Sequence, residues 1–304
     1  MTARMSIAVI GAGAMGAFYA SKFFQMDRDC VSLVARGDRY GRLREKGLSV
    51  MNRTYHIPII RAEDEGPPSD LILVAVKQYH LEEAIRDVKN RIGPHSIVLS
   101  VMNGIDSEER IGAAYGMEKL MYAVALGIDA VRVENRVTYT TEGKLIFGEA
   151  ENTSLTDRVK QLQILFDRAG IVHETAPDMI QVLWRKFMIN VGVNQVSAVL
   201  RAPYGVFQKS REARELMEEA MKEVIAVAEK VPVKISEEDI EAWNAILLGL
   251  GPGGKTSMLQ DVEAGRKTEV EMFAGKVMEL GKKYGVRTPV NHTLLRLLKV
   301  IEQT

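Results

Sequence analysis

The first half of the chain alternates short apolar runs with stretches of helical periodicity. The apolar runs are continuous, which is typical of parallel strands that are buried on both faces. A change to β runs with turn signals between residues 121 and 148 predicts an antiparallel extension of that sheet. The predicted strands cover 7–10, 30–35, 70–76, 96–101 and 171–174, the predicted helices 14–26, 81–91 and 154–169, and a short hairpin 48–61. This order predicts an α/β fold with a doubly wound, Rossmann-type parallel sheet.

From Asp178 onward, the sequence shows helical periods and almost no strand signal. The segment from Gly249 to Gly254 contains four glycines and a proline, which predicts a loop between helices. The predicted helices cover 178–200, 210–230, 236–248, 258–284 (as one helix or as two) and 290–302. The chain is therefore predicted to have two domains, an α/β domain at 1–176 and a second, all-helical C-terminal domain at 177–304.

The turn after the first predicted strand contains a glycine pattern that is known from nucleotide-binding proteins. Gly11, Gly13 and Gly16 form Gly-x-Gly-x-x-Gly between a strand and a helix, which is the context of a dinucleotide-binding turn. The glycines allow a tight turn and a close approach to a pyrophosphate, and the helix N-terminus supplies free N–H groups. The alternative is a purely structural turn. The predicted cofactor-binding residues here are Gly11, Ala12, Gly13, Ala14, Met15 and Gly16.

The end of the second strand bears on which dinucleotide is bound. An NAD site places Asp or Glu here to bind the ribose 2′-hydroxyl. This chain has Arg36 instead, with Arg39 close by. Because a guanidinium binds a phosphate through two hydrogen bonds, Arg36 predicts NADP(H). The alternatives are a solvated basic turn and an NAD site in which Asp38 supplies the carboxylate.

Composition narrows the class of partner. The 304 residues include 40 basic and 40 acidic side chains, so no basic field is available for nucleic acid or a membrane surface. Cys30 is the single cysteine and the five histidines are scattered, so we expect neither an internal disulfide nor a metal site. No apolar stretch is long enough to span a bilayer. We expect a cytoplasmic protein that binds a small molecule, and the apolar faces of its helical half are compatible with a homodimer.

Two polar residues follow predicted strands. Lys77 ends the 70–76 run, and Asn103 follows the 96–101 run. Ligands of parallel α/β sheets bind at the carboxyl ends of the strands. Both residues are therefore candidates for cofactor binding, and Asn103 is also a candidate for substrate binding. The alternative is a solvated lysine and an asparagine that forms a turn before a helix.

The first predicted helix of the second half contains three regularly spaced polar residues. Lys186, Asn190 and Asn194 are spaced i, i+4 and i+8, which places them on one helix face. Their neighbours are mostly apolar, so the helix is predicted to be well buried. Polar groups there would be unfavourable without partners. A ligand cleft beside this face would supply those partners, and the alternative is an amphipathic helix with a solvated face.

A third polar segment follows the glycine-rich loop. Ser257 lies just before a predicted helix, where it either caps that helix or offers its hydroxyl to an anion. Asp261 and Glu269 are eight residues apart and are predicted to share a face. The basic residues with which these carboxylates can alternatively pair are Lys255, Arg266 and Lys267.

Together these motifs resemble those of the ketopantoate reductases, the 2-dehydropantoate 2-reductases of pantothenate biosynthesis. The resemblance covers essentially the whole chain. Its motifs are Gly-Ala-Gly-Ala-Met-Gly at 11–16, Val-Met-Asn-Gly at 101–104, Trp-Arg-Lys at 184–186 with two downstream asparagines, and Thr-Ser-Met-Leu-Gln-Asp at 256–261 with Thr268-Glu269. It implies an NADP-binding Rossmann domain, a helical substrate and catalytic domain, and NADPH-dependent reduction of a 2-keto acid, 2-dehydropantoate, to (R)-pantoate.

The resemblance also implies roles for individual residues. Lys186 would be the general acid, and Glu269 would bind at the substrate or anchor the lysine. Lys77 and Asn103 would lie where cofactor and substrate meet. The implied substrate-binding residues are Asn103, Asn190, Asn194 and Ser257, of which Ser257 would hold the carboxylate.

One position departs from the family pattern. The asparagine that follows a proline after the lysine helix is replaced by Tyr204 in this chain, which puts recognition of the substrate's hydroxyl end in doubt. Two alternatives therefore stay open. The first is a related dehydrogenase that acts on a β-hydroxyacid, a sugar acid or another 2-keto acid. The second is a non-catalytic NADP(H)-binding protein.

Overall fold

A computed structural model of the chain describes residues 4–303. They form two compact units, which we call the first unit (up to Ile180) and the second unit (from Gln181 onward). That the first unit holds the cofactor and the second carries out catalysis stays a prediction. Among the described residues, no helix combines the length and the apolar character needed to cross a membrane.

The strands of the described chain all lie in the first unit. They are β1 (Ile7–Ile10), β2 (Val31–Ala35), β3 (Leu48–Val50), β4 (Arg53–Tyr55), β5 (Ile59–Arg61), β6 (Leu71–Val74), β7 (Ile97–Ser100), β8 (Leu120–Ile128), β9 (Val131–Val133), β10 (Arg136–Thr138), β11 (Glu142–Gly148) and β12 (His173–Glu174). Eight of them form the main sheet in the order β12-β11-β8-β7-β6-β1-β2-β5. Pairing is parallel from β5 through to β8, and β11 pairs antiparallel with β8. The predicted parallel sheet with an antiparallel extension is confirmed.

The central strands are buried on both faces, as their continuous apolar runs predict. In β1, Ile7 and Val9 enter one hydrophobic cluster, whereas Ala8 and Ile10 enter a second cluster. Successive side chains of a strand point to opposite faces, so each face of the sheet has its own core. This arrangement is the doubly wound fold that the sequence predicts.

The helices of the first unit are α1 (Ala14–Met26), α2 (Gly37–Lys46), α3 (Leu81–Asp87), α4 (Ser107–Tyr115) and α5 (Asp157–Arg168), with 3₁₀ turns at Gln78–His80, Lys89–Arg91 and Met117–Lys119. Helix α2 is not predicted from the sequence. Leu43 is its one buried side chain, so it has no apolar face from which a helical period can be recognised.

The predicted hairpin at 48–61 is correct only in part. Strands β3 and β4 form the antiparallel hairpin, but β5 pairs in parallel with β2 at the edge of the main sheet. The hairpin continues into a separate four-stranded sheet in the order β4-β3-β10-β9. Its parallel β3–β10 pairing joins segments that lie far apart in the sequence.

The described residues of the second unit form helices joined by loops and contain no strand. Its helices are α6 (Met179–Ile189, which begins at the end of the first unit), α7 (Gln195–Leu200), α8 (Tyr204–Lys209), α9 (Arg211–Ala228), α10 (Glu237–Gly249), α11 (Ser257–Glu263), α12 (Lys276–Tyr284) and α13 (Pro289–Ile301). The short helix α8 is not predicted. Two π-helical turns interrupt the predicted long helices, the first π-turn at Asn190–Asn194 and the second π-turn at Glu271–Gly275.

Candidate active site

The turn between β1 and α1 has the backbone geometry that the glycine pattern predicts. Gly11 has φ +100°, and a Cβ there would lie 2.5 Å from the carbonyl oxygen of Ala75. A Cβ at Gly16 would lie 1.9 Å from the carbonyl oxygen of Gly11, so only glycine allows α1 to pack this closely on the turn. Gly13 is the N-cap of α1 and places no side chain on the first N–H groups of the helix. These N–H groups, at the positive end of the helix dipole, fit a diphosphate.

Arg36 lies directly after β2 and is the N-cap residue of α2. Its Nη2 is 2.5 Å from Oδ1 of Asp87, a buried residue at the end of α3. Burial raises the pKa of Asp87, and the charge of Arg36 opposes that shift. The competing carboxylate, Asp38, is exposed in the first turn of α2. A 2′-phosphate bound at Arg36 would therefore share or replace the contact with Asp87.

A second arginine beside the glycine turn is not predicted from the sequence. Arg132 on β9 donates from Nη1 to the carbonyl oxygen of Ala12, at 2.6 Å. Burial lowers the pKa of Arg132, and the nearby charges of Arg42 and Arg39 lower it further. Positive charge from two separate segments thus gathers near the turn. Nothing in the local sequence around Arg132 indicates this, because the contact spans 120 residues.

Lys77 and Asn103 lie at the carboxyl ends of neighbouring strands, β6 and β7. Both side chains are half-buried, and Lys77 is the N-cap residue of the first 3₁₀ turn. Gly104, which follows Asn103, has φ +90°. Strand β1 is the other neighbour of β6 and runs parallel to it. The structure therefore brings Lys77 and Asn103 to the sheet edge that also carries the glycine turn.

A buried carboxyl group lies shortly after the Asn103-Gly104 turn. Glu108, the second residue of α4, is 2% exposed and accepts a hydrogen bond from the hydroxyl of Ser107, at 2.9 Å. The Ser107 hydroxyl is also 2.8 Å from that of Ser100, the last residue of β7. Burial raises the pKa of Glu108 to about 7, and the Ser107 hydrogen bond opposes the shift. Glu108 is therefore protonated more readily than an exposed glutamate.

The lysine helix is well buried, as predicted. Phe187, Met188 and Val191 are almost inaccessible to solvent. Lys186 and Asn190 are half-buried, and Asn194 is 6% exposed. The three polar residues do not lie on one continuous α-helix, because α6 ends at residue 189 and the first π-turn holds both asparagines.

This π-turn changes the direction of the polar side chains. An α-helix advances about 100° per residue, so Asn190 is displaced by about 40° from Lys186 around the helix axis. A turn closed by i→i+5 bonds holds about one residue more and advances roughly 80° per residue, so Asn194 is displaced by roughly 40° in the opposite sense. The two displacements cancel. With these ideal values, Lys186 and Asn194 are nearly in line around the helix axis, whereas a continuous α-helix would place them about 80° apart.

The capping role that one interpretation gives to Ser257 is wrong. Thr256 is the N-cap of α11, and its hydroxyl accepts from the backbone N–H of Leu259 at 3.2 Å. The same hydroxyl donates to the hydroxyl of Ser197 on α7, at 3.2 Å. Ser257 follows as the first residue of α11 and is exposed. Its hydroxyl is therefore not used for capping.

The structure separates the two carboxylates that were predicted to share a helix face. Helix α11 ends at Glu263, so Asp261 and Glu269 do not belong to one helix. Asp261 Oδ1 is 2.9 Å from Nε of Arg266, and Lys255 bonds to Glu263. Glu269 is 7% exposed and lies two residues before the second π-turn. Both α11 and the second π-turn pack against the first π-turn.

Tyr204, the position that departs from the family pattern, begins α8 and is half-buried. Its backbone N–H donates to the carbonyl oxygen of Gly254, at 2.9 Å, and that of Gly205 donates to Pro252, at 2.8 Å. Burial raises the pKa of the Tyr204 hydroxyl. The glycine-rich loop is thus fastened to the start of α8, and the chain runs from it to Ser257.

A doubly wound sheet with a glycine turn at its carboxyl edge, followed by a helical unit with a lysine and two asparagines on one face, defines a class of dinucleotide-dependent oxidoreductases. The chain belongs to the ketopantoate reductase family. The family model described as "Ketopantoate reductase PanE/ApbA" matches residues 7–152, and the family model of the corresponding C-terminal region matches residues 178–302.

Individual relatives match the chain over nearly their whole length. The chain is 27% identical to a 2-dehydropantoate 2-reductase of Aquifex aeolicus, covering 98% of this chain and 97% of that protein. It is similar to the crystal structure of a 2-dehydropantoate 2-reductase from Geobacter metallireducens, with a TM-score of 0.85, 27% identity and coverage of 97% and 99%. The fold is also that of D-mandelate dehydrogenase solved with NADH and anilino(oxo)acetate, with a TM-score of 0.86, 24% identity and coverage of 98% of both chains.

Proposed function

We propose that this protein reduces 2-dehydropantoate to (R)-pantoate with NADPH, a step of pantothenate biosynthesis. The observation that carries the proposal is the face formed by Lys186, Asn190 and Asn194. It combines an ammonium group near the end of a buried helix with two amides in the π-turn that follows it. Membership of the ketopantoate reductase family and the names of the full-length relatives support the same activity.

The chemistry follows from the charge that develops during the reaction. Bound NADPH would supply a hydride to the ketone carbon of the substrate. Negative charge then develops on the carbonyl oxygen, and the ammonium of Lys186 stabilises it and donates the proton that completes the hydroxyl group. Asn190 and Asn194 hold the oxygen atoms of the substrate, and the hydroxyl of Ser257 binds its carboxylate. Glu269 binds at the substrate or anchors Lys186.

The preference for NADPH rests on the arginines near the glycine turn. Arg36 lies at the strand end where an NAD site has a carboxylate, and its side chain is 49% exposed. Arg39, Arg42 and Arg132 add positive charge close by. This charge favours a cofactor with a third phosphate group. NADH is the alternative, since it is the cofactor in the D-mandelate dehydrogenase structure.

A second candidate substrate class is a 2-keto acid other than 2-dehydropantoate. Tyr204 favours it, because a half-buried ring stands where the family pattern has an asparagine. An aromatic ring offers apolar surface and one hydroxyl in place of an amide. A substrate with an apolar group in place of the terminal hydroxyl would suit this ring.

Initial rates of NADPH consumption distinguish these possibilities. The purified protein is assayed with 2-dehydropantoate, 2-oxoisovalerate, pyruvate and phenylglyoxylate, and with NADH as the cofactor control. The proposal predicts the highest kcat/KM for 2-dehydropantoate with NADPH. A higher kcat/KM for 2-oxoisovalerate or phenylglyoxylate would identify that keto acid as the substrate instead of 2-dehydropantoate. Tight NADPH binding without turnover of any keto acid would contradict the proposed activity.

A further inference from the structure

The two π-turns of the second unit adjoin the residues of the proposed site. The first π-turn contains Asn190 and Asn194, and the second π-turn begins two residues after Glu269. The turns pack against each other, and the rings of Phe187 and Phe273 lie 6.3 Å apart beside them. Widened turns of this kind are rare inside helices and are frequent at functional sites. Their persistence here requires contacts that stabilise them.

One buried side chain bonds to both π-turns. Gln195, the residue directly after the first π-turn, is fully buried. Its Nε2 donates to the carbonyl oxygen of Val191 in the first π-turn, at 2.7 Å. Its Oε1 accepts from the backbone N–H of Ala274 in the second π-turn, at 3.2 Å. A single amide group thus fixes the distance between the two turns.

The same amide is itself held by a buried network. Gln195 Nε2 also donates to Oδ1 of Asn291, at 3.1 Å. The Asn291 side chain, fully buried, donates to the carboxylate of Glu223 at 2.8 Å, and this carboxylate accepts from the backbone N–H groups of Val290 and Asn291 at the start of α13. Satisfied buried networks specify one arrangement of the elements that they join. Helices α9 and α13 therefore fix the orientation of the Gln195 amide.

We infer that Gln195 is a positioning residue, which acts through the two π-turns to align Asn190 and Asn194 with Glu269; the inference rests on the proposed function. The side chain contacts neither substrate nor cofactor in this account. Its effect is on the relative placement of two segments that carry substrate-binding groups. Misplacement of such groups by about 1 Å can cost about 100-fold in rate.

The test is Gln195→Met, which keeps the approximate volume but removes both donors and the acceptor. We expect kcat/KM for the keto acid to fall at least tenfold through changes in both kcat and KM, while the Kd for NADPH changes less than twofold. Hydrogen exchange measured by mass spectrometry should become faster in the peptides that contain both π-turns. The matched control is Ile240→Ala, an apolar truncation at a buried position of α10 in the same unit.

All variants are compared at one temperature at which each of them is fully folded. Kinetic constants within twofold of those of Ile240→Ala, or unchanged exchange in the π-turns, would overturn the positioning role. Should Gln195→Met fail to fold, Asn291→Leu removes one partner of Gln195 and is expected to produce a smaller loss of the same kind. A wild-type protein without keto acid turnover would refute the proposed function, and the exchange experiment would still decide whether Gln195 holds the two π-turns together.

Discussion

Replacing Glu108 by glutamine tests whether a buried carboxyl group beside the Asn103-Gly104 turn makes stability depend on pH. Glu108 is 2% exposed, and burial raises its pKa to about 7 from the ordinary glutamate value of about 4.5. Between these two pH values, the folded chain retains a proton that the unfolded chain releases. The free energy of unfolding therefore falls as pH rises through this window. Below about pH 4.5 the group is neutral in both states and contributes no penalty.

The magnitude follows from the size of the shift. Raising the pKa from about 4.5 to about 7 corresponds to about 3–4 kcal/mol. Glutamine is close in shape to a neutral glutamic acid, accepts the same hydrogen bond from Ser107 and does not ionise. The stability of Glu108→Gln relative to the wild type is therefore expected to rise by about 3 kcal/mol between pH 4.5 and pH 7.5.

Urea unfolding followed by circular dichroism at a series of pH values measures this difference. The control is Glu109→Gln, because Glu109 is the next residue of α4 and is exposed. Because this side chain is exposed, its replacement is expected to change the dependence of stability on pH much less than Glu108→Gln does. A difference for Glu108→Gln that is equally flat, or that has the opposite sign, would refute the argument.

Three further predictions concern ligand recognition. Arg36→Ala should raise the Kd for NADPH about tenfold or more and leave that for NADH nearly unchanged. The reason is that the charge-assisted hydrogen bonds lost are worth about 1.5–3 kcal/mol. Asp87→Asn, which removes the carboxylate paired with Arg36, should lower the Kd for NADPH. Equal effects on both cofactors in equilibrium titrations would remove the 2′-phosphate argument. Ser257→Ala should raise KM for the keto acid without loss of stability. Thr256→Val should instead lower the free energy of unfolding by about 1 kcal/mol, because the helix cap is lost. If kinetics and urea unfolding show these two effects exchanged, the roles given to Ser257 and Thr256 are wrong. Tyr204→Asn should increase kcat/KM for 2-dehydropantoate relative to 2-oxoisovalerate, and an unchanged ratio would show that this position does not set specificity.

Sequence patterns predict the structure correctly where the interacting residues are close together in the sequence. The glycine turn between β1 and α1 was predicted with its bounds, because its glycines act within a few residues. Helix α2 was missed because its surface is polar on nearly every side. The four-stranded sheet was missed because the β3–β10 pairing places Arg136 beside Ser49, and no local pattern specifies such a partner.

The candidate site shows the same division. The spacing of Lys186, Asn190 and Asn194 predicts a shared helix face, but it does not predict the π-turn that holds both asparagines. A π-turn retains an apolar pattern that is also compatible with an α-helix, so the periodicity does not reveal it. Arg132 and Gln195 were missed because their roles depend on groups that are distant in sequence, the carbonyl of Ala12 and the N–H of Ala274.

The proposed general acid can be tested most directly by the kcat of Lys186→Ala with 2-dehydropantoate and NADPH. General acid catalysis contributes about 10²- to 10⁴-fold, so we expect kcat to fall by that factor while the Kd for NADPH stays within twofold. Lys222→Ala is the control, because Lys222 is a half-exposed lysine of the same unit that pairs with Glu237 on the surface. A kcat for Lys186→Ala that equals that of Lys222→Ala would contradict the account.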